Sequence, residues 1–167
     1  LCALAYPTGD YTVLFLCMVM FGVLVGFLNY NTYPATVFMG DAGSQTLGYI
    51  AIVLSIKLTQ ESGALSPLLP ILIVGFPIID TLEVMLERAR MGRPLFVADN
   101  NHFHHKLLKL NLYHTEAVFI IYLLQSALVL SAFLLRFYSD WVILAAFVLF
   151  AGAIVAFFQI THATNFT

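Results

Sequence analysis

The run Tyr11-Thr12-Val13-Leu14-Phe15-Leu16-Cys17-Met18-Val19-Met20-Phe21-Gly22-Val23-Leu24-Val25-Gly26-Phe27-Leu28 holds 18 residues and no charge. As one helix it just reaches across the hydrocarbon core of a bilayer. Composition agrees with that reading. Of 167 residues, 61% are hydrophobic and 10% charged, whereas about a quarter of a soluble domain is charged. Mean hydropathy is +0.93. The chain reads as a single all-α membrane domain over residues 1–167, a polytopic helix bundle of about five spans. Gly22 and Gly26, four apart, predict close packing of the small-xxx-small kind on that first span. Cys17 sits inside the run and reads as packing. With only two cysteines in the chain, neither a disulfide framework nor a metal clip is indicated.

Working outward, Leu1–Asp10 reads as a short polar turn carrying Pro7 and Gly9. The first residue is Leu1 and no basic leader segment follows, so a signal peptide is not expected and the chain looks like part of a longer protein. Asn29–Pro34 ends the first span, because Pro34 cannot continue a helix and pushes Tyr33 toward extended conformations. A loop then runs to Ser44. A second span is expected over about Gln45–Leu58, short enough to start below the membrane surface and leave Asp41 in a recess. A third is expected over Pro67–Met85, kinked at Pro70 and Pro77. The fourth and fifth fall at Ala117–Leu135 and Trp141–Phe158, with Tyr138 and Trp141 suited to the membrane interface.

Residues 87–116 form the long polar segment. Five of the seven Lys and Arg lie between Arg88 and Lys109, so the positive-inside rule puts this loop in the cytoplasm. Counting spans puts the loop at 29–44 on the same side. The net charge of −2 argues neither for nor against a charged partner, but the broad basic face that a nucleic-acid partner would want is not visible.

Two constellations carry chemistry. In Val37-Phe38-Met39-Gly40-Asp41-Ala42-Gly43-Ser44 a carboxylate stands between glycines within apolar sequence, where an ionisable group is costly and faces a cavity, a metal or a partner. Magnesium is held by one or two carboxylates, with water and phosphate completing its shell; a plain helix cap is the other reading of Asp41. Phe38 offers a face for stacking on a base, and Asn31 an amide for a substrate; core packing and a turn are their ordinary roles. In Asp99-Asn100-Asn101-His102-Phe103-His104-His105, three imidazoles crowd into four positions. Zinc is one reading, though no cysteine ligand accompanies them. Stabilising phosphoryl charge is the other, with Arg88, Arg90 and Arg93 upstream shaped to grip phosphate. Asp80, Glu83 and Glu87 share a helical face and read either as a stripe paired with Arg88, Arg90 or a neighbouring helix, or, for the deeper Asp80, as part of the site. His114 stands apart and reads as structural.

Asn31 to Ser44, then Pro77 to Thr81, Arg88 to Gly92 and Asp99 to His105, resemble in order and spacing the signatures of the polyprenyl-phosphate N-acetylhexosamine-1-phosphate transferases. His-x-His-His with a preceding Asp is similar to the branch that starts O-antigen, teichoic-acid and other surface glycans. The peptidoglycan branch, which transfers phospho-MurNAc-pentapeptide, carries a different histidine run and ranks second. The resemblance implies that a UDP-N-acetylhexosamine, most often UDP-GlcNAc, meets undecaprenyl phosphate at the cytoplasmic face of the inner membrane, releasing UMP with Mg2+ or Mn2+. It implies Asp41 as metal ligand and catalytic residue, and Phe38 against uracil. His102, His104 and His105, with Arg88 and Arg93, would act on the diphosphate. Asn31 would touch substrate, and Asp80 and Asp99 would orient the histidine loop. Membrane lipid and a second copy of the chain complete the candidate partners. An aspartate-rich loop and an earlier nucleotide loop of that family are absent from these residues, so the chain resembles its C-terminal half and is expected to be inactive alone. A transporter lined by Asp41 and Asp80, or a lipid-binding scaffold, are the competing classes. The almost wholly apolar first and fifth spans argue against the transporter, and a scaffold has no need of the histidine cluster.

Overall fold

The computed structural model describes residues 1–62, 65–92, 94 and 102–164, all of them helix or connection. Among the described residues eight helices follow in order: α1 (Cys2–Thr8), α2 (Tyr11–Asn31), α3 (Gly40–Ser62), α4 (Leu69–Ile73), α5 (Gly75–Arg90), α6 (Phe103–Lys109), α7 (His114–Leu135) and α8 (Asp140–Thr164). The all-α expectation is met. Among the described residues, three helices are long and apolar enough to cross a membrane: α2, α7 and Asp140–Phe157 of α8. The chain is thus an integral membrane protein.

The other two expected spans come out differently. α3 starts at Gly40 and runs to Ser62, 23 residues, longer at both ends than the apolar pattern suggested. It covers roughly 34 Å at 1.5 Å per residue. It is long enough to span, but its Ser, Gln, Thr and Lys residues make it far less apolar than α2. The expected third span is cut in two at Val74. Pro70 falls in the first turn of α4 and Pro77 in that of α5, where a missing N–H costs little. The prolines therefore start helices rather than kink one.

The break is held by α7. Gln125 donates through Nε2 to the carbonyl of Ile73 at 2.9 Å and accepts through Oε1 from the amide of Phe76 at 3.2 Å. Its amide replaces backbone bonds that the interruption would leave open, which lipid would penalise. The backbone of Gly75 lies close to α7 and α8: a Cβ there would meet Leu128 at 3.1 Å and Phe147 at 3.6 Å. Leu69, Leu72, Phe76, Ile79, Leu128, Ile143 and Phe147 form the centre of the core.

Leu1–Asp10 is not a polar turn. It contains α1, whose Leu4 and Ala5 are buried in the core. Asp10 caps α2, accepting from the amide of Val13 at 2.9 Å. The glycine pair on α2 packs against nothing: a Cβ at Gly22 or Gly26 would meet no atom within 4 Å, so that expectation is not met among the described residues. α8 continues past Phe158 to Thr164.

The chain alternates between two ends. One end gathers the α1–α2, α3–α4 and α7–α8 connections, where the Ser66 hydroxyl donates to the Asp140 carboxylate that begins α8. The other gathers the α2–α3 connection, the end of α5, α6 and the start of α7. There the rings of Tyr33 and His114 stand 6.2 Å apart.

Gln125→Leu strands the Ile73 carbonyl and the Phe76 amide, each at about 1–3 kcal/mol. Its thermal unfolding in detergent should fall by several degrees, whereas the exposed Gln45→Leu should leave it unchanged.

Candidate functional site

The α2–α3 connection is built by backbone bonds around the last turn of α2. The Tyr30 carbonyl accepts the amides of Thr36 at 2.8 Å and Val37 at 3.2 Å, and the Thr36 hydroxyl as well. Asn31 Nδ2 donates to the Val37 carbonyl at 3.0 Å. Asn31 thus shapes this loop with the amide assigned to substrate. Phe38 lies 79% exposed at its tip, available for stacking and absent from the core. Gly40 takes φ 66°, a left-handed value that a Cβ disfavours. α3 begins there, so Asp41 lies in a first helical turn and not in a loop. Its carboxylate benefits from the positive end of the helix. Asp41 is exposed, which corrects the expected recess: α3 begins at Gly40, five residues before the expected start at Gln45, and carries Asp41 out to the surface.

The second constellation assembles on α5. Asp80 uses both oxygens. Oδ1 accepts the amide of Phe103 at 2.7 Å, and Oδ2 meets Nδ1 of His102 at 3.0 Å. A carboxylate from another helix therefore supplies the N-terminal cap that His102, at the cap position of α6, does not make with its own side chain. The pairing puts the ring proton on Nδ1 and leaves Nε2 of His102 for a ligand.

Phe103 and Leu107 are buried, and Phe103 meets Phe76 edge-on at 5.0 Å. The 100° helical step sets His104 and Lys106 on the two flanks of that buried face and turns His105 away from it. The rings of His104 and His105 lie 3.9 Å apart. Burial holds His104 below the ordinary histidine value, and the neighbouring His105 adds to the effect.

Lys106 reaches back to α5, bonding Glu83 at 3.0 Å and Glu87 at 2.9 Å. Burial opposes its charge, but these two hydrogen bonds and the acidic charges outweigh it and raise its pKa. The acidic face of α5 is thus paired with α6. Arg88 is buried in the last turn of α5, where its charge suits the helix C-terminus. Arg93 and Asp99 lie outside the described residues.

Of the sites expected from sequence, the structure brings Asp80, His102, His104 and His105 together. Asp41, Phe38 and Asn31 form a second group, set at the same end of the bundle through the Tyr33–His114 contact. No hydrogen bond or ion pair joins Asp41 to the three imidazoles among the described residues, and no set of three His, Cys, Asp or Glu there could hold a metal. Sequence reading passed over Lys106. The signal was present: three carboxylates on one face of α5 need cations, and the segment that brings His102 to Asp80 also brings Lys106.

Residues 1–59 match the family model described as glycosyl transferase family 4. A probable undecaprenyl-phosphate N-acetylglucosaminyl 1-phosphate transferase of Bacillus subtilis is 36% identical over 158 residues, 94% of this chain and 43% of the relative. Over residues 1–59 the chain is thus similar to glycosyl transferase family 4. An undecaprenyl-phosphate alpha-N-acetylglucosaminyl 1-phosphate transferase of Yersinia pestis is 29% identical, over 87% of this chain and 42% of its own length. A phospho-N-acetylmuramoyl-pentapeptide-transferase of Clostridium novyi is 36% identical, over 62% and 31%. The chain therefore spans less than half the length of these curated relatives. No solved structure matches it. The family match contains Asp41 and stops before α5, so the Asp80–His102 pair lies beyond it.

Asp80→Asn weakens the bonds to Phe103 and His102. Hydrogen exchange at residues 103–109 should quicken by roughly tenfold, from about 1.4 kcal/mol lost at a charge-assisted cap, with α7 and α8 unchanged. In histidine-labelled protein, the His104 ring should titrate below 6.5. The unfolded chain then takes up that proton first as pH falls. The contribution of His104 to stability is thus complete above pH 6.5 and declines as pH drops from there toward the depressed value.

Proposed function

We propose that the protein serves the transfer of a sugar-1-phosphate from a UDP-N-acetylhexosamine, foremost UDP-GlcNAc, to undecaprenyl phosphate, with release of UMP. In that reaction an oxygen of the lipid phosphate bonds to the sugar-linked phosphorus, and the bond from that phosphorus to the UMP oxygen breaks. The observation that carries the reading is the clustering, at one end of a membrane bundle, of the family segment bearing Asp41 and the Asp80-capped helix bearing the imidazoles. That end also carries Arg88, Arg90, Lys106 and Lys109, so the positive-inside rule turns it to the cytoplasm and, in this reading, places the protein in the inner membrane.

Asp41 fits a magnesium or manganese ion. It is a hard oxygen ligand, exposed, and engaged in no side-chain bond among the described residues. Such an ion takes one or two carboxylates and draws the rest of its shell from water and phosphate. When bound, it would neutralise charge on the phosphoryl oxygens. Among the described residues no group of three His, Cys, Asp or Glu is placed to hold a zinc ion. The paired His104 and His105 would then donate toward diphosphate oxygens, and His102, held through Nδ1 by Asp80, would present Nε2 as an acceptor to a substrate N–H or O–H. Phe38 offers its exposed ring to the uracil. Little covalent chemistry falls to the protein in phosphoryl transfer, so positioning and charge are its main contribution.

In the intact gene product, supplied with undecaprenyl phosphate and a panel of UDP-sugars, Asp41→Asn should cut metal-dependent UMP release by about 10²–10³-fold, the loss expected when a main source of electrostatic stabilisation goes. Unchanged turnover would remove Asp41 from the site. Preference for UDP-MurNAc-pentapeptide over UDP-GlcNAc would move the protein to the peptidoglycan reaction.

A further inference from the structure

Glu83, Glu87 and Lys106 are left over once the site is assembled, and they are built more tightly than an exposed charge cluster needs. Glu83 is only 7% exposed, and one of its oxygens, Oε2, is buried without a hydrogen-bond partner among the described residues. Its other oxygen takes Lys106 at 3.0 Å, while Glu87 takes the same ammonium at 2.9 Å. Burying a carboxylate beside an apolar core is costly unless a cation stays with it. The structure keeps one there, and that cation comes from α6.

The contacts form a ladder. Asp80 holds residues 102 and 103, and Glu83 and Glu87 hold residue 106. α6 has seven residues, far too few to be stable as an isolated helix. Its order comes from the apolar anchors Phe103 and Leu107 and from these polar rungs. Asp80 fixes its beginning. Lys106 fixes its rotation about its own axis, because the ammonium and the two buried side chains bracket the same side. His104 and His105, two residues and one residue before Lys106, are thereby set in direction.

We propose that Lys106, gripped by Glu83 and Glu87, is a positioning residue for the reaction: it sets the rotation of α6 and so aims His104 and His105 at the diphosphate. Lys106 acts through the imidazoles and need not touch substrate. The proposal rests on the transferase reading above for its chemistry, but the ordering of α6 is testable without it.

The test uses the intact gene product in lipid nanodiscs, with Lys106→Met, Lys106→Arg, and the double variant Glu83→Gln with Lys106→Gln, which removes the buried charge together with its partner. Two readouts are taken: hydrogen exchange at residues 103–109, and steady-state UMP release with UDP-GlcNAc and undecaprenyl phosphate. Lys106→Met should speed exchange in α6 by tenfold or more and leave α2, α7 and α8 protected. It should lower kcat by about 10–100-fold with KM for UDP-GlcNAc within threefold. Lys106→Arg should restore most of both, and the double variant should recover α6 protection better than Lys106→Met. Wild-type-like exchange in Lys106→Met overturns the clamp, whether or not any UDP-sugar reacts. Loosened exchange with unchanged kcat, or a loss confined to KM, overturns the positioning role. If Lys106→Met unfolds the whole bundle, Lys106→Arg decides by the same two readouts. A wild-type protein that releases no UMP from any UDP-sugar sinks the transferase reading and the positioning role that rests on it, and the exchange data still judge the clamp.

Discussion

Lipid offers no hydrogen bond to an interrupted backbone, and the centre of this bundle is organised around meeting that demand. Where the chain breaks at Val74, Gln125 of α7 closes the gap with both ends of its amide. Gly75 lets the broken segment sit against Leu128 and Phe147. The interruption is therefore tied to the strongly apolar α7 and α8, and α5 leaves it along a fixed line. Its last turns emerge at the end of the bundle where the charged residues collect.

From that line the site follows. α5 carries Asp80, Glu83 and Glu87 on one face, and each meets a group from the 102–106 segment. A helix too short to hold itself together is thus capped, anchored by Phe103 and Leu107 and oriented, all by its neighbour. The two imidazoles on its free side are a consequence of those contacts. Their mutual closeness, with burial, keeps His104 toward its neutral form, while His102 is oriented by a carboxylate. Three histidines adjacent in sequence thus sit in two chemical settings.

The Asp41 group has a different physical basis. It depends on a tight connection in which the Tyr30 carbonyl and the Asn31 amide fold the chain back and on the left-handed Gly40 that opens α3. Helix polarity then favours the carboxylate at position 41. The similarity to glycosyl transferase family 4 falls on this half, and the ring contact between Tyr33 and His114 ties it to the half bearing the histidines.

The amino-acid sequence by itself determined the solvent and the class of fold: charge-free runs such as Tyr11–Leu28 can be little else than helices in lipid, and the basic residues between Arg88 and Lys109 mark one end of the bundle. It also singled out Asp41 and the His102–His105 cluster, because charged and imidazole side chains amid apolar sequence are conspicuous. It misplaced what depends on partners distant in the chain. The prolines looked like kinks and became helix starts, since Gln125, distant in the chain, bonds the backbone on both sides of a full break. Leu1–Asp10 looked like a turn and contains a helix, since only the core gives Leu4 and Ala5 a place to be buried. The acidic stripe left Arg88, Arg90 and a neighbouring helix open as partners, and only the fold shows that α6 brings Lys106 to Glu83 and Glu87. Local pattern reports which residues prefer lipid or water; which cation neutralises a buried carboxylate is decided by the packing that brings α6 onto α5.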